Sequence, residues 1–334
     1  MKEGVATLNV RGLQSPGAWR DFLEATVRWT RRKRVRVLAV QEHNLHPDEH
    51  GNRVREASMM GWQLFVSYAA RGVDGKYWGG ALIMVANDIK VHREVANREG
   101  LMAVSLNLSD EEYTVASIYA PVNPSKRVDF INDLKNRLPK YTIAGGDWNV
   151  VPDVTVDRRG PNALQNANIG ASALAAAADT LKIFDVRREQ LGNKFEHTRK
   201  DGSSAARLDR WYVPIEGKYA DILWSIEVND EFVYKNKKAS DHLAVILTLD
   251  KSVGERGRER ATINEAIIAR PEIQSIIIDV VHEAYSHGGR EGKKWARAHN
   301  VLRDRLLKET ANLSDEEYAV ASIYAPVSPS VLTI

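Results

Sequence analysis

The chain has 334 residues, of which 43% are hydrophobic, and its formal net charge is +3 at pH 7. This length and apolar content suit one large domain, or one domain with an appendage, around a packed core. The near balance of charge excludes a polycation, and the absence of cysteine excludes disulfides and thiolate-bound zinc. No signal peptide or bilayer-spanning apolar stretch is visible, so we expect no membrane partner and a nuclear or cytoplasmic location.

Predicted strands and helices alternate along the first 250 residues. A strand at 5–10 is followed by an amphipathic helix at 16–30 and a second strand at 35–40. The later elements, bounded by turn residues, are strands at 62–68, 80–86, 91–95, 102–108 and 114–119, a helix at 128–138, a strand at 141–144, a helix at 171–181, and strands at 208–214, 222–228 and 243–249. This mixed order favours antiparallel-rich sheets with helices outside over a doubly wound parallel sheet.

The composition changes after Asp250, where a polar and charged segment indicates a linker and later residues have helical periodicity. We therefore divide the chain into a domain at 1–250, a linker and helical connector at 251–310, and a tail at 311–334. In the tail, Asn312 to Ser330 repeats Asn107 to Ser125 at 17 of 19 positions. Two copies so far apart fit no solenoid, so we expect a duplicated fragment that is poorly ordered.

Polar side chains recur where predicted strands end. They are Asn9, Glu42, Tyr119, Asp147, Asn149, Asp209, Asp241 and His242. Each alone has an ordinary explanation as a turn residue, a solvated acid or a cap. Strand ends that open into a cleft hold catalytic groups rigidly, and the ordered recurrence favours one shared site. An acid–amide pair and an acid–imidazole pair at strand edges suggest metal-assisted hydrolysis.

Seven short motifs make the pattern more specific. They are Thr-Leu-Asn-Val-Arg-Gly-Leu (7–13), Gln-Glu (41–42), Trp-Gly-Gly-Ala (78–81), Tyr-Ala-Pro (119–121), Gly-Gly-Asp-Trp-Asn (145–149), Arg-Leu-Asp-Arg (207–210) and Ser-Asp-His (240–242). Together they resemble the endonuclease/exonuclease/phosphatase superfamily over roughly residues 4–250. More narrowly, they resemble the apurinic-type endonuclease domain of non-LTR (LINE-type) retrotransposon second-reading-frame proteins. The helical stretch 261–308 resembles the connector between that endonuclease and a reverse transcriptase.

This resemblance implies an α/β (α+β) fold in which two mostly antiparallel β-sheets pack face to face in a four-layer sandwich with flanking helices, plus a C-terminal helical appendage. It also implies Mg²⁺, for which Mn²⁺ can substitute, as the cofactor. Glu42 would be the main metal ligand, with Asn9 and Asp241 nearby. Mg²⁺ prefers oxygen ligands and keeps several waters, so one or two carboxylates suffice.

The resemblance further implies a role for each remaining residue of the set. Asp147 would orient or deprotonate the attacking water, and Asn149 would position it. His242, cationic and held by Asp209, would stabilise the charged transition state, and Tyr119 would donate to a phosphate oxygen. The implied reaction is in-line hydrolysis of a phosphodiester that leaves 3′-hydroxyl and 5′-phosphate ends.

Other residues would bind the substrate. The positions expected to contact phosphate are Ser240, Asn123, Thr198 and Arg11. The basic residues that fall in or near predicted loops are Arg11, Lys126, Arg127, Arg158, Arg159, Arg199 and Lys200. Contacts of these kinds would grip DNA through its backbone with little base specificity, although each basic residue can equally be a solvated surface group.

Three functions compete. The first is a Mg²⁺-dependent DNA endonuclease that serves target-primed reverse transcription, with DNA and a retrotransposon RNA or reverse transcriptase on another chain as partners. The second is another hydrolase of the superfamily, either an abasic-site repair endonuclease or a phosphoinositide phosphatase. The third is an inactive nucleic-acid-binding remnant. Asp209 follows Arg-Leu and not the phosphatase signature Pro-Ala-Trp-Cys, and retention of the whole polar set opposes the remnant.

Overall fold

The computed structural model describes residues 2–69, 71–73, 75–160, 168–191, 194–214, 219, 222–234, 237–238, 240–250, 274–275 and 278–279. The chain divides into two compact units, Met1–Lys251 and Ser252–Ile334. The four described residues of the second unit are helical. The rest of the predicted connector and all of the predicted tail lie outside the described residues. None of the helices described combines the length and the apolar character needed to cross a membrane.

Every helix and strand predicted between residues 5 and 249 has a counterpart in the structure. In chain order the elements are β1 (Lys2–Asn9), α1 (Pro16–Lys33), β2 (Val35–Gln41), a 3₁₀ turn (Pro47–Glu49), α2 (His50–Met59), β3 (Trp62–Ser67), β4 (Ala81–Ala86), β5 (Val91–Arg98), β6 (Leu101–Leu108), β7 (Glu111–Tyr119), α3 (Pro124–Arg137), β8 (Ile143–Asp147), β9 (Arg158–Arg159), α4 (Ala171–Leu181), β10 (Ile183–Asp185), α5 (Val186–Leu191), β11 (Arg199–Asp201), β12 (Ser204–Ala206), β13 (Asp209–Pro214), β14 (Leu223–Asn229), β15 (Val233–Tyr234), β16 (Lys237–Lys238) and β17 (Ala244–Asp250).

Helices α2 and α5, the 3₁₀ turn and the shortest strands were not predicted. In α2 only Arg53 and Ala57 are buried, so the helix has no apolar stripe to reveal its period. The unpredicted strands are two or three residues long, which is too short for an alternating pattern to be read.

The strands form two six-stranded sheets with the same plan. The first has the order β14-β17-β1-β2-β4-β3 and the second β10-β13-β8-β7-β6-β5. Every pairing in them is antiparallel except the central pairs β1–β2 and β7–β8, which are parallel. The prediction of two mostly antiparallel sheets is confirmed. Each parallel pair presents two carboxyl-terminal strand ends at one sheet edge, and there the polar residues gather.

Side chains along each strand point alternately to the two faces of its sheet, and this alternation produces the layers of the fold. Val5 and Val37 face a core between the sheets, whereas the next residues, Ala6 and Leu38, pack with α1 on the outer face. Helices α3 and α4 cover the outer face of the second sheet through a third apolar cluster. Helix, sheet, sheet and helix thus stack as the expected four-layer sandwich.

Two glycines let β8 lie close to its neighbours. A Cβ on Gly145 would lie 2.3 Å from the ring of Trp211, and one on Gly146, whose φ is +148°, would lie 1.9 Å from the carbonyl oxygen of Ile118. Only glycine tolerates both the contact and the backbone angle. The Gly-Gly pair therefore fixes the position from which Asp147 emerges.

Candidate active site

Strand register brings residues from distant parts of the chain side by side. In the second sheet Tyr119 pairs with Asp147, and Asp147 pairs with Asp209. In the first sheet Asn9 pairs with Gln41, and Glu42 follows directly. The three acids, Glu42, Asp147 and Asp209, are at least 62 residues apart along the chain. The sheets bring them together from remote segments, so no local sequence pattern could reveal their adjacency.

Asn9 joins the two sheets. Its Nδ2 donates to Glu42 Oε1 at 2.8 Å and to Asp147 Oδ2 at 3.0 Å. Its Oδ1 accepts from the backbone N–H of Arg11 at 3.1 Å. The buried amide therefore holds a carboxylate of the first sheet next to a carboxylate of the second.

The backbone around Glu42 is clamped by the Trp-Gly-Gly-Ala motif. Glu42 has a φ of +53° and Asn44 one of +52°, which few non-glycine residues adopt. The N–H of Glu42 donates to Gly80 O and that of Asn44 to Gly79 O, each at 3.0 Å. The Asn44 side chain accepts from the Gly79 N–H at 2.5 Å. These contacts hold the strained turn from which the Glu42 side chain projects.

His43, for which no role was predicted from the sequence, is part of this support. Burial lowers its pKa to about 4, so the ring is neutral at physiological pH. Its Nε2 lies 3.1 Å from Ser67 O, and its Nδ1 accepts from the Leu45 N–H at 3.0 Å. The ring also packs against Gly80, where a Cβ would lie 2.3 Å from Nε2.

Asp147 is buried and oriented by its motif. The Asn149 N–H donates to Asp147 Oδ1 at 3.0 Å, while Asn149 Nδ2 donates to Ala120 O at 2.8 Å. Burial raises the pKa of Asp147 to about 6, with His242 opposing and Asp209 reinforcing the rise. A carboxyl group that titrates near neutrality matches the requirement for a general base.

His242 is held as a cation. Its Nδ1 lies 2.8 Å from Asp209 Oδ2, and its Nε2 lies 3.9 Å from Asp147 Oδ2 and 4.0 Å from Asp241 Oδ1. Burial alone would lower the pKa of His242, but the Asp209 carboxylate, aided by Asp147 and Asp241, raises it to about 9. A fixed positive charge at neutral pH suits stabilisation of a developing negative charge.

Tyr119 remains a hydrogen-bond donor. Burial and the neighbouring carboxylates of Glu42 and Asp147 raise the pKa of its phenol, and Glu42 accepts its hydrogen bond. Its ring is packed against Gly79, where a Cβ would lie 2.8 Å from Cε1. The phenol therefore stays protonated beside the carboxylates.

Asp241 and Arg11 form an ion pair at the edge of this group. Asp241 Oδ1 lies 3.0 Å from Arg11 Nη1, and Asp241 Oδ2 accepts from Arg199 Nε at 2.8 Å. His242 and these arginines lower the pKa of Asp241 against the opposing effect of burial. Ser240 Oγ accepts from the His242 N–H at 3.1 Å, so this serine shapes the loop that carries Asp241 and His242.

Two expected phosphate contacts have other partners. Thr198 is buried, and its hydroxyl oxygen accepts from the N–H groups of Leu208 and Asp209 at 3.0 and 2.9 Å. It therefore lies behind Asp209 as a support, away from any surface that phosphate could reach. Asn123 is exposed and caps α3, accepting from the Lys126 N–H at 3.1 Å.

Two of the basic residues that were expected to contact DNA are buried in the structure. Arg127 is buried and donates to Ile169 O and Val122 O at 3.0 and 3.2 Å. Arg158 is buried as well. For these two arginines the prediction of a phosphate contact is wrong, because both residues are buried.

The arginines of the Arg-Leu-Asp-Arg motif are likewise internal. Arg207 lies 2.7 Å from both Asp157 Oδ1 and Asp185 Oδ2. Arg210 donates to Val150 O at 2.6 Å and lies 3.3 Å from Asp157 Oδ2. This buried ion cluster fixes the backbone before and after Asp209. The sequence alone could not show which acid pairs with which arginine.

The residues present fit a hard divalent cation. Within the described part of the chain, Asp147, Asp209 and His242 offer ligand atoms within 4.8 Å of one another. Protonated and bonded to Asp209, His242 is a poor metal ligand. Glu42, Asp147 and the amide of Asn9 supply oxygen-rich chemistry that suits Mg²⁺ or Mn²⁺.

A four-layer sandwich that presents acids, amides and an imidazolium at its strand ends matches the arrangement expected of a phosphoester hydrolase of the nuclease and phosphatase type. The chain belongs to the Endonuclease/Exonuclease/phosphatase family, whose model matches residues 6–242. The family expected from the sequence motifs is thereby confirmed. Comparison with curated proteins gives no match to the sequence.

Solved structures share the fold at low sequence identity. An AP endonuclease from Archaeoglobus fulgidus has a TM-score of 0.55 and 17% identity, covering 74% of this chain and 99% of its own. The AP endonuclease LMAP from Leishmania major has a TM-score of 0.58 and 14% identity, with 74% and 87% covered. The endonuclease domain of TRAS1, a telomere-specific non-LTR retrotransposon, has a TM-score of 0.51 and 16% identity, with 75% and 99% covered. At these identities the likeness establishes the fold alone.

Proposed function

We propose that this protein is a divalent-metal-dependent DNA endonuclease that nicks phosphodiester bonds and leaves 3′-hydroxyl ends. The observation that carries the proposal is the pairing of two unlike centres. Glu42 and Asp147 share the Asn9 amide, and His242 is bonded to Asp209 within 3.9 Å of Asp147. A carboxylate pair next to a fixed cation suits hydrolysis of an anionic ester.

Asp147 accepts a proton from the water that attacks phosphorus. The P–O3′ bond breaks in the same displacement, and the leaving 3′ oxygen takes a proton from solvent to become the 3′-hydroxyl. Its pKa of about 6 leaves it ionised at neutral pH yet basic enough to act. Asn149 orients that carboxylate through its backbone N–H. The side-chain amide of Asn149 is bonded to Ala120 O, so it keeps the loop in place and leaves its own oxygen for the water.

His242 and Tyr119 act on the phosphate. The imidazolium, whose charge is maintained by Asp209, stabilises negative charge on the phosphoryl oxygens as the bond breaks. Tyr119, kept protonated, donates to a phosphate oxygen. Arg11, half-exposed beside Asp241, binds the DNA backbone.

Glu42, with Asn9 and Asp241 nearby, holds Mg²⁺ or Mn²⁺. When bound, the cation supplies Lewis-acid polarisation of the phosphate. Asn9 presents Nδ2 to both carboxylates as placed, so ligation by its oxygen requires the amide to turn over. Asn9 otherwise acts by keeping Glu42 and Asp147 together.

Nicking for target-primed reverse transcription is the biological role that we propose. The Arg-Leu-Asp-Arg and Tyr-Ala-Pro motifs favour the retrotransposon branch, and a retrotransposon endonuclease domain is among the proteins with this fold. DNA, and the element's RNA or a reverse transcriptase on another chain, are the corresponding partners.

Conversion of supercoiled plasmid to open circles in Mg²⁺ tests the activity, and a chelator should stop it. Asp147→Ala and His242→Ala should each lose about 10²–10⁴-fold in rate while DNA binding persists. His92→Ala is the matched control, because His92 is an exposed β5 histidine bonded to Asn107. Extension of the nicks by a DNA polymerase without prior end repair would verify the 3′-hydroxyl. If both active-site variants nick at the parental rate, the assigned roles are wrong.

Two further substrates separate the alternatives. A duplex with a single abasic site, cleaved much faster than the same duplex without it, would indicate a repair endonuclease. Release of phosphate from a soluble inositol polyphosphate, with plasmid left intact, would indicate a phosphatase. DNA binding without any cleavage would indicate an inactive remnant.

A further inference from the structure

A layer of polar side chains crosses the core directly beneath the candidate active site. Thr7 Oγ1 donates to Gln41 Oε1 at 3.0 Å, and Gln41 Nε2 donates to Ser117 Oγ at 2.9 Å. Ser117 Oγ lies 3.4 Å from Val40 O, a longer contact. All three side chains are fully buried. Thr7 and Gln41 belong to the first sheet and Ser117 to the second, so this chain of hydrogen bonds spans the interface between the sheets.

The position of this layer follows from the two-residue period of strands. Thr7 lies two residues before Asn9, and Ser117 lies two residues before Tyr119, on the same faces. Gln41 immediately precedes Glu42. One step further from the site, the same faces carry apolar residues of the central core. A polar layer thus separates the apolar core from the catalytic groups.

Stability alone gives no reason for polar residues here. Replacing every partner of a buried hydrogen-bonded group by apolar residues of the same shape is often neutral or stabilising. Apolar contacts between sheets are non-directional, whereas hydrogen bonds fix one relative position of the two sheets. Directional contacts in this layer therefore point to a demand for accurate placement.

The site has such a demand because it is divided between the sheets. Glu42 follows β2 of the first sheet, and Asp147 ends β8 of the second. A small slide of one sheet would change the separation of these carboxylates and strain both hydrogen bonds of Asn9. Misplacement by about 1 Å can cost about 10²-fold in rate.

We infer that Thr7, Gln41 and Ser117 are positioning residues, an inter-sheet latch that fixes the distance between Glu42 and Asp147. The latch extends the proposed nuclease function and rests on it. It touches neither substrate nor the reacting atoms. Its effect is on kcat and on the affinity of the carboxylate pair for a divalent cation, and it leaves the affinity for DNA unchanged.

The decisive variant removes the latch without orphaning a buried polar group. Thr7→Val, Gln41→Met and Ser117→Ala combined leave no unpaired donor or acceptor among the three side chains. We expect this triple variant to melt near the parental temperature, to lose about 10–100-fold in kcat, and to bind Mn²⁺ about 10-fold more weakly by calorimetry. Its KM for plasmid should match that of the parent.

Single variants cover the case in which the triple variant does not fold. Thr7→Val keeps the shape and removes the hydroxyl, whereas Thr7→Ser keeps the hydroxyl and removes a methyl group. Thr7→Ser should retain parental kcat and Mn²⁺ affinity, and Thr7→Val should lower both. A purely structural role would give the two variants the same kinetics in proportion to their stability.

The outcomes distinguish the latch from the proposed function. If the parent nicks DNA and the triple variant matches it in kcat and Mn²⁺ affinity, the latch is wrong and the nuclease function stands. A change in KM alone would also overturn the latch. If the parent neither nicks DNA nor binds Mn²⁺, the proposed function fails and the latch fails with it.

Discussion

Replacing Asp209 by asparagine should move the alkaline limb of the pH–activity profile from about pH 9 toward the ordinary histidine value of about pH 6.5. The Asp209 carboxylate is bonded to His242 and is the strongest influence that opposes the lowering of its pKa by burial. Asparagine keeps the shape and an accepting oxygen but removes the charge. The rise of the His242 pKa from 6.5 to about 9 corresponds to about 3 kcal/mol of preference for the imidazolium.

This shift sets the size of the effect. At pH 8 an imidazole of pKa about 9 is about 90% protonated, whereas one of pKa 6.5 is about 3% protonated, so the rate should fall by up to about 30-fold. At pH 6 about three quarters of an imidazole of pKa 6.5 is protonated, so the variant's rate should come close to the parental rate at that pH. Initial rates of plasmid nicking between about pH 5 and pH 10 in saturating Mg²⁺ measure the profile. An NMR titration of the His242 ring gives its pKa independently.

A control variant isolates the charge effect. Asp48→Asn removes an exposed carboxylate that lies beside His46, outside the catalytic group, and should keep the parental profile. The reasoning is refuted if Asp209→Asn keeps an alkaline limb near pH 9. It is also refuted if the variant loses the same fraction of activity at pH 6 and pH 8, because Asp209 would then act through geometry alone.

Three further predictions concern stability. The folded-state pKa of Asp147 is raised from 3.8 to about 6. The contribution of its protonation to folding stability is therefore complete below pH 3.8 and is lost as the pH rises through 6. Asp147→Asn should therefore lose most of its activity and yet be up to about 3 kcal/mol more stable than the parent at pH 8. This gain should vanish near pH 4, and denaturant titrations at both pH values measure it. Gly145→Ala should lower the melting temperature markedly, because its Cβ would lie 2.3 Å from Trp211. The control Gly51→Ala lies in open space on α2 and should be neutral or stabilising by up to about 1 kcal/mol. Asp157→Asn should cost about 3–5 kcal/mol in urea denaturation, because it leaves buried arginines short of a partner; a loss below about 1 kcal/mol would contradict that view of the cluster.

The strands and the residues at their ends were within reach of the sequence, because each depends on a short local pattern. An apolar run bounded by turn residues predicts a strand wherever that strand ends up. Asp147 and Asp209 could be placed at strand ends in this way. Their hydrogen-bond partners could not, since the register of β8 against β13 joins residues that are 62 positions apart.

The supporting residues were missed or misassigned for a related reason. Arg127 and Arg158 are basic residues in or near predicted loops, which is typical of a DNA-binding surface. Only the tertiary structure shows that they are buried. Thr198 matches a position expected to contact phosphate, but its hydroxyl accepts two backbone N–H groups behind Asp209. His43 gave no signal, because its role depends on Gly80, which arrives from a separate motif. The role of a buried polar side chain depends on which residues surround it in the folded protein. Apolar periodicity can be read from the local sequence without that knowledge.

The charges of the site bear on the choice of substrate. Counted by formal charge, the site has four acids, Glu42, Asp147, Asp209 and Asp241, and three cations, His242, Arg11 and Arg199. Their net charge is −1, which favours binding of a divalent cation and rises to +1 when the cation is bound. A phosphodiester carries one negative charge and makes the loaded site neutral, whereas a phosphomonoester dianion would leave one uncompensated negative charge in a partly buried site. Since uncompensated buried charge is costly, this charge balance supports the proposed cleavage within a nucleic-acid strand over removal of a terminal phosphate.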